Sequence, residues 1–334
     1  MVVFFASFAS SRFDFRLRPQ AALRLSGSAA KDLEKEALMR NLNAQNRRQF
    51  IKTGMVGTAA LPFVGFSAMG YVEAKTHGKD PFRGLKVGVA SYSLRKFSLD
   101  DALAMTRKLE VKYITLKDFH LSLKSSKTER QEARKKTEDA GLVLMGGGVI
   151  YMKKDENEIR NAFEYARDAG MPTIVASPDP AALDILDKIV NEYQIRVAIH
   201  NHGPGDEKYP SPNDVFKHVK NHDERIGLCI DIGHTQRIGE DPVAAIRKYS
   251  SRLYDMHFKD VTAATPAGAN IEVGKGVINI VGILKALLDI RYPYHVALEY
   301  EINETNPLMG MNESFAYSRG VLAAIPSSID LTSQ

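Results

Sequence analysis

From Leu85 onward, short apolar runs recur along the chain, each separated from the next by an amphipathic stretch. The runs are Leu85–Ser91, Tyr113–Leu116, Leu142–Gly146, Thr173–Ala176, Val197–His200, Gly227–Asp231, Leu253–His257 and Val296–Glu299. Most are apolar at consecutive positions rather than at alternate ones. A strand of that kind buries both faces, as parallel strands do when helices cover them. Eight strand–helix units in about 250 residues are what a closed (β/α)8 barrel requires.

Helix signals fall between the runs. Ser98 precedes Asp101 and Asp155 precedes Glu158, each a capping side chain with an acid three residues on. Asp179-Pro180, Ser211-Pro212 and Asp241-Pro242 each set a capping residue before a proline at the first helical position. Gly141 and Gly170 stand where helix C-caps belong, just ahead of the next run. The competing architecture, a doubly wound open sheet, usually carries a glycine-rich phosphate turn after its first strand. Ser91-Tyr92-Ser93-Leu94 stands there instead, so the expected fold class is α/β, a (β/α)8 TIM barrel. Lys124–Lys136 is charge-rich at helical spacing and reads as a solvated helix face.

Two domains are expected: a leader, residues 1–80, and a catalytic barrel, residues 81–334. Asn46-Arg47-Arg48-Gln49-Phe50-Ile51-Lys52 has the layout of a twin-arginine export signal, and a mildly apolar run from Thr53 to Met69 follows it. The expectation is export to the periplasm, with no stable membrane association once the leader is removed. Met39 is a candidate initiator, because such arginines normally sit near the start. The net charge of +5 also belongs to the leader: residues 1–80 hold 12 Lys and Arg against 6 Asp and Glu, leaving 33 against 34 for the body. The body has no electrostatic case for a polyanion, so nucleic acid is not an expected partner. The single cysteine, Cys229, excludes an intrachain disulfide and reads as a small core residue.

In such barrels chemistry sits at the C-terminal ends of the strands. The second run ends in Lys117-Asp118-Phe119-His120 and the third in Gly146-Gly147-Gly148. The later ones end in His200-Asn201-His202, Asp231-Ile232-Gly233-His234, His257-Phe258-Lys259-Asp260 and Glu299-Tyr300-Glu301. Carboxylates and imidazoles on four consecutive strand ends suit a divalent cation of the Mn, Co, Fe or Zn type. Asp231, His257 and Glu299 are the expected core ligands, with His200 as the fourth. His202, on the same side of its strand, is the rival ligand or a substrate contact. Lys117, His120 and His234 are candidate substrate-binding residues. Lys259 is expected to meet a substrate hydroxyl or a developing enolate. The triple glycine would let the backbone approach a ligand.

Asp231-Ile232-Gly233-His234 and His257-Phe258-Lys259-Asp260, followed by a strand ending in Glu299, resemble the sugar phosphate isomerase/epimerase family. That family lies in the xylose isomerase-like TIM-barrel superfamily, and the similarity runs from about Lys86 to the C-terminus. The resemblance implies a Glu, an Asp, a His and a second Glu on successive strands around one metal. Asp231, His257 and Glu299 match the last three, whereas His200 stands where the first glutamate belongs. In ketose 3-epimerases of the family the two glutamates pass a proton to and from opposite faces of a sugar carbon. The superfamily also contains metal-dependent apurinic-site endonucleases, and His234 fits one of their extra positions. Val261–Ile271 holds no further His or acid, however.

The expected function is therefore a metal-dependent sugar isomerase or epimerase. It would abstract a proton beside a carbonyl through a metal-stabilised enediolate, with Glu299 and His200 or His202 exchanging the proton. The histidine at position 200 opens an alternative, a 3-keto-glycoside lyase or dehydratase on the same metal site. A third alternative is a non-catalytic sugar-binding barrel. The expected partner is a small sugar or glycoside, and a homo-oligomer stays open.

Overall fold

A computed structural model of the chain describes residues 80–326. All of them belong to the second of two compact units, Lys75–Gln334. The twin-arginine segment lies outside the described residues. Among those described, no helix is long and apolar enough to cross a membrane.

Eight parallel strands close into a barrel. They are β1 (Lys86–Ala90), β2 (Tyr113–Leu116), β3 (Val143–Met152), β4 (Thr173–Pro178), β5 (Arg196–His200), β6 (Ile226–Asp231), β7 (Leu253–Phe258) and, after a small ribbon, β10 (His295–Leu298). The ribbon pairs β8 (Asp260–Val261) with β9 (Asn270–Ile271) in antiparallel fashion. Nine α-helices are described: α1 (Leu99–Lys108), α2 (Lys127–Asp139), α3 (Glu156–Ala169), α4 (Leu183–Tyr193), α5 (Pro212–Val219), α6 (Ile232–Arg237), α7 (Pro242–Lys248), α8 (Ile280–Asp289) and α9 (Leu308–Ala324). The barrel closes where β1 pairs β10, with Lys86 opposite His295 and Val89 opposite Leu298.

Seven of the eight apolar runs become strands with ends within two residues of those expected. The third runs on to Met152 because the glycines continue it. A Cβ on Gly148 (φ 134°) would lie 1.9 Å from the Val175 carbonyl oxygen, and one on Gly146 would lie 2.6 Å from that of Thr173. Gly146 and Gly148 thus let β3 press against β4.

Capping works largely as read. Ser98 accepts from the Asp101 amide, Asp155 from those of Asn157 and Glu158, Ser211 from Asp214 and Asp241 from Val243. Asp179-Pro180 is the exception: it opens a 3-10 turn, and the Asp179 side chain makes no capping bond. Most helices turn an apolar face onto the barrel. In α3 that face is Ile159, Ala162, Phe163, Ala166 and Ala169, all fully buried. Burying each large apolar side chain contributes about 1.5–3 kcal/mol. The solvated face expected of Lys124–Lys136 is mostly exposed, but Arg130 is buried and donates to the Leu123 carbonyl.

Candidate functional site

Inward-facing positions alternate along a strand, which stacks side chains in layers inside the barrel. His200, Asp231, His257 and Glu299 form the layer at the C-terminal rim. Strand register sets their neighbours: Asp231 stands opposite His257 on β7, and the Glu299 amide donates to the Phe258 carbonyl at 2.9 Å.

One donor atom from each of these four residues lies within 4.8 Å of the other three, and all four residues are buried. His200 Nε2 is 3.4 Å from Asp231 Oδ2, and His257 Nδ1 is 3.1 Å from Glu299 Oε2 and 3.9 Å from Asp231 Oδ2. Both nitrogens of His200, Nδ1 of His257 and Oδ2 of Asp231 are buried without a hydrogen-bond partner. Buried polar atoms are normally satisfied, so His200, His257 Nδ1 and Asp231 Oδ2, the last with only the Lys259 ammonium at 3.0 Å, form a donor set open to a ligand. Nitrogen with carboxylate oxygen suits a divalent transition metal. The cluster is compatible with a metal site.

Asp231 is held by its own surroundings. Its Oδ1 accepts the His234 amide at 2.7 Å and caps α6, and its amide donates to Asn201 Oδ1 at 3.0 Å. Asn201 in turn donates to Thr235 Oγ1 at 3.2 Å. Only Oδ2 is left facing the cluster.

Lys259, expected to meet a substrate hydroxyl or a developing enolate, lies among carboxylates. Its ammonium lies 3.0 Å from Asp231 Oδ2, 2.8 Å from Glu299 Oε2 and 2.6 Å from Glu301 Oε1, with the side chain 3% exposed. As placed it balances charge among three carboxylates. Burial alone would raise Asp231 and Glu299. The positive groups outweigh it and hold both well below the usual carboxylate range: chiefly His234 and Lys259 for Asp231, and His257 and Lys259 for Glu299. Burial would likewise lower Lys259, but its carboxylate partners drive it well above the ordinary lysine value. His200 is pushed well below the histidine range by burial and then by His257. It is therefore a neutral imidazole, the form a metal ligand needs.

His202 lies beside the cluster rather than in it. Its ring is 4.4 Å from that of His200, its Nδ1 is 3.3 Å from Asp206 Oδ2, and it stacks on Tyr151 at 6.0 Å. His234 Nε2 is 3.8 Å from Asp231 Oδ2. Lys117 sits over the Tyr92 ring at 5.2 Å, and its ammonium has no hydrogen bond or ion pair among the described residues. Burial lowers its pKa, and Glu299 partly opposes that shift. His120 does not fit the substrate-binding expectation: Nδ1 meets Ser91 Oγ at 2.8 Å and Nε2 meets the Phe97 carbonyl at 3.2 Å. Both nitrogens are taken by the scaffold, so it positions the β1 turn.

Sequence reasoning missed Glu301, Tyr151 and Asn201 as parts of this site. Glu301 and Asn201 stood in strand-end motifs already singled out. Tyr151 gave no signal, because only the long β3 carries it beside His202. Val261–Ile271, read as a segment without ligands, folds as the ribbon and packs beside the site. A cavity of about 170 Å³ under it is lined by His234, Arg237, Lys259, Asn270 and Glu301.

Solved structures with the same architecture include an L-ribulose 3-epimerase, at TM-score 0.60 and 14% identity over 72% of this chain and 95% of that one. Another is a 3-keto-D-glucoside 4-epimerase from E. coli, at TM-score 0.59 and 14% identity over 71% and 99%. A third is a probable 3-DHS dehydratase from Bacillus anthracis, at TM-score 0.57 and 14% identity over 72% and 100%. At these identities the likeness speaks for the fold. No curated protein sequence matches the chain. The family model for the xylose isomerase-like TIM barrel matches residues 103–321, a span from α1 to α9 that includes His200, Asp231, His257 and Glu299. The chain belongs to the xylose isomerase-like TIM-barrel family.

Proposed function

We propose that the protein is a metal-dependent isomerase or epimerase of a small sugar, working by proton transfer at the carbon beside a carbonyl. The observation that carries this reading is the buried convergence of His200, Asp231, His257 and Glu299 with their orphaned donor atoms. These four residues would hold a divalent cation of the Mn, Co, Fe or Zn type. When bound, such a cation polarises a carbonyl and eases loss of the neighbouring proton.

The chain's own residues supply the rest. Glu299, held ionised, is the base that takes the proton, and His202, beside the cluster, returns it. Lys259 keeps Asp231 and Glu299 ionised in a buried setting and steadies their orientation through three ion pairs. The Lys117 ammonium, over the Tyr92 ring, is placed to meet a sugar oxygen on which negative charge develops. His234 offers Nε2 to a substrate hydroxyl. Periplasmic delivery by the Arg47-Arg48 segment belongs to the same proposal.

One observation favours a second reading. The end of β5 presents imidazoles where the resemblance expects a glutamate, and Tyr151, 66% exposed, stacks on His202 beyond them. A one-sided base with an open aromatic platform suits loss of a leaving group from a 3-keto-glycoside, a lyase or dehydratase reaction.

The test is a panel of ketoses, glucosides and 3-keto-glucosides followed by NMR in deuterated water, on protein of measured metal content. Deuterium enters the carbon beside the carbonyl with the native protein and not with Glu299→Gln. Full retention of exchange in that variant sinks the assignment. Release of aglycone in place of an isomerised sugar selects the second reading. Ligand binding without metal or turnover would leave a sugar-binding barrel.

A further inference from the structure

The opposite end of the barrel holds a second group of unsatisfied polar atoms. A cavity of about 290 Å³ opens among the strand beginnings, lined by Lys86, Thr173, Arg196, Asp255, Tyr294 and His295 among others. Lys86, Thr173, Arg196 and His295 are the first residues of β1, β4, β5 and β10, so this mouth faces away from the metal cluster.

Its floor is buried and incomplete. Asp255 and His295 are each 1% exposed, and Asp255 Oδ2 and His295 Nε2 have no hydrogen-bond partner. The other atoms of both groups are occupied: Asp255 Oδ1 accepts the Met256 amide at 2.8 Å, and His295 Nδ1 meets Thr115 Oγ1 at 2.8 Å. A threonine hydroxyl that donates to Nδ1 puts the ring proton on Nε2, leaving a donor beside an acceptor. Gly88 keeps this point clear, since a Cβ there would lie 2.7 Å from His295 Nε2.

The mouth is cationic. The Arg196 guanidinium lies over the rings of Tyr294 and Tyr254 at 5.0 and 5.6 Å. Neither its side chain nor that of Lys86 has a hydrogen bond or ion pair among the described residues. An arginine held by aromatic faces keeps the edge of its fork free for an oxyanion. Two positive charges at the entrance repel metal cations and attract anions. Three donors and one acceptor then define what fits.

We propose that this cavity is a second ligand site, for a small oxyanion that carries its own hydroxyl, of the hydrogen-phosphate or hydroxycarboxylate class. The anionic oxygens take hydrogen bonds from Arg196, Lys86 and His295 Nε2, and the hydroxyl donates to Asp255 Oδ2. An anion of equal size without a hydroxyl sets an oxygen against Asp255 and leaves that carboxylate unsatisfied, a costly arrangement in a buried place.

Calorimetric titration of the whole protein at pH 8.5 tests the proposal using inorganic phosphate, glycerate and sulfate as probes. Phosphate or glycerate binds, and whichever does so identifies the class. Sulfate binds about tenfold more weakly or not at all. Arg196→Gln weakens binding about tenfold or more, and Lys86→Gln, at the rim, does the same if the first variant folds poorly. Lys275→Gln, which removes an exposed cation paired with Glu313, leaves the affinity within about twofold. No binding of either hydroxyl-bearing anion, equal binding of sulfate, indifference to both cation variants, or an equal loss in Lys275→Gln overturns the proposal.

Discussion

Asn201 shows how much of the site depends on residues that never face it. It is fully buried, accepts the Asp231 amide and donates to Thr235. Asn201→Ala leaves that amide without its partner, and urea unfolding is expected to show a loss of roughly 1–3 kcal/mol. If Asp231 holds a cation, metal affinity falls about 10- to 100-fold as well, the usual effect of removing a group that orients a ligand. A variant with native stability and native metal affinity would show that Asp231 is held by its helix cap alone. The glycines offer a contrast at the same scale. Gly148→Ala puts a Cβ against the Val175 carbonyl at a φ of 134° and should cost roughly 3 kcal/mol or more. Gly141→Ala meets nothing within 4 Å and bears only the strain of φ 71°, about 1 kcal/mol. Equal midpoints in urea for the two variants would refute the packing role given to the triple glycine.

At the scale of elements, the joins between helices and strands carry the polar bonds that a parallel barrel cannot make within its sheet. Asp223, just before β6, takes three bonds from Arg225 and one from Asn191 on α4. Arg225, ahead of burial, holds Asp223 well below the ordinary aspartate value. A carboxyl lowered in the folded state stabilises fully above its unfolded pKa of about 3.9 and loses that contribution as pH falls through the folded value. The join lies near the surface, where water screens charge, so the gain is about 1 kcal/mol. Asp223→Asn should therefore unfold at lower urea concentration than the native protein at pH 7. The gap should close as pH drops below about 4, which chemical denaturation across that range will read. A gap as wide at pH 2 as at pH 7 would assign the loss to packing rather than charge.

For the whole molecule, Lys259 settles how the barrel tolerates its own centre. Two buried carboxylates facing each other would repel strongly, yet Lys259 lies within ion-pair distance of both. The metal-free protein is therefore expected to stay folded. Treatment with EDTA should leave the far-ultraviolet circular dichroism unchanged. Saturation with Mn²⁺ or Zn²⁺ at a hundred times the dissociation constant should add about 2.7 kcal/mol to the unfolding free energy. Unfolding on chelation would mean that Lys259 does not suffice. Lys259→Met then gives the complement: a barrel that needs the cation to fold, seen as a melting temperature that rises far more steeply with metal than the native one.

The architecture was legible in the chain because its signals are local. Two-sided apolar runs, capping residues and prolines act within a few residues, and eight repeats of strand and helix leave a closed parallel barrel as the natural solution. The four strand-end residues were legible for a related reason: a barrel places strand ends on one rim, so position along each run already says which side chains meet. What the sequence could not carry was direction and distance. Lys259 turns inward to three carboxylates, and His120 is held at both nitrogens by Ser91 and Phe97. Gly146 and Gly148 press β3 against β4. Each depends on a neighbour from another strand, and register between strands, which alone sets such neighbours, is a property of the folded barrel.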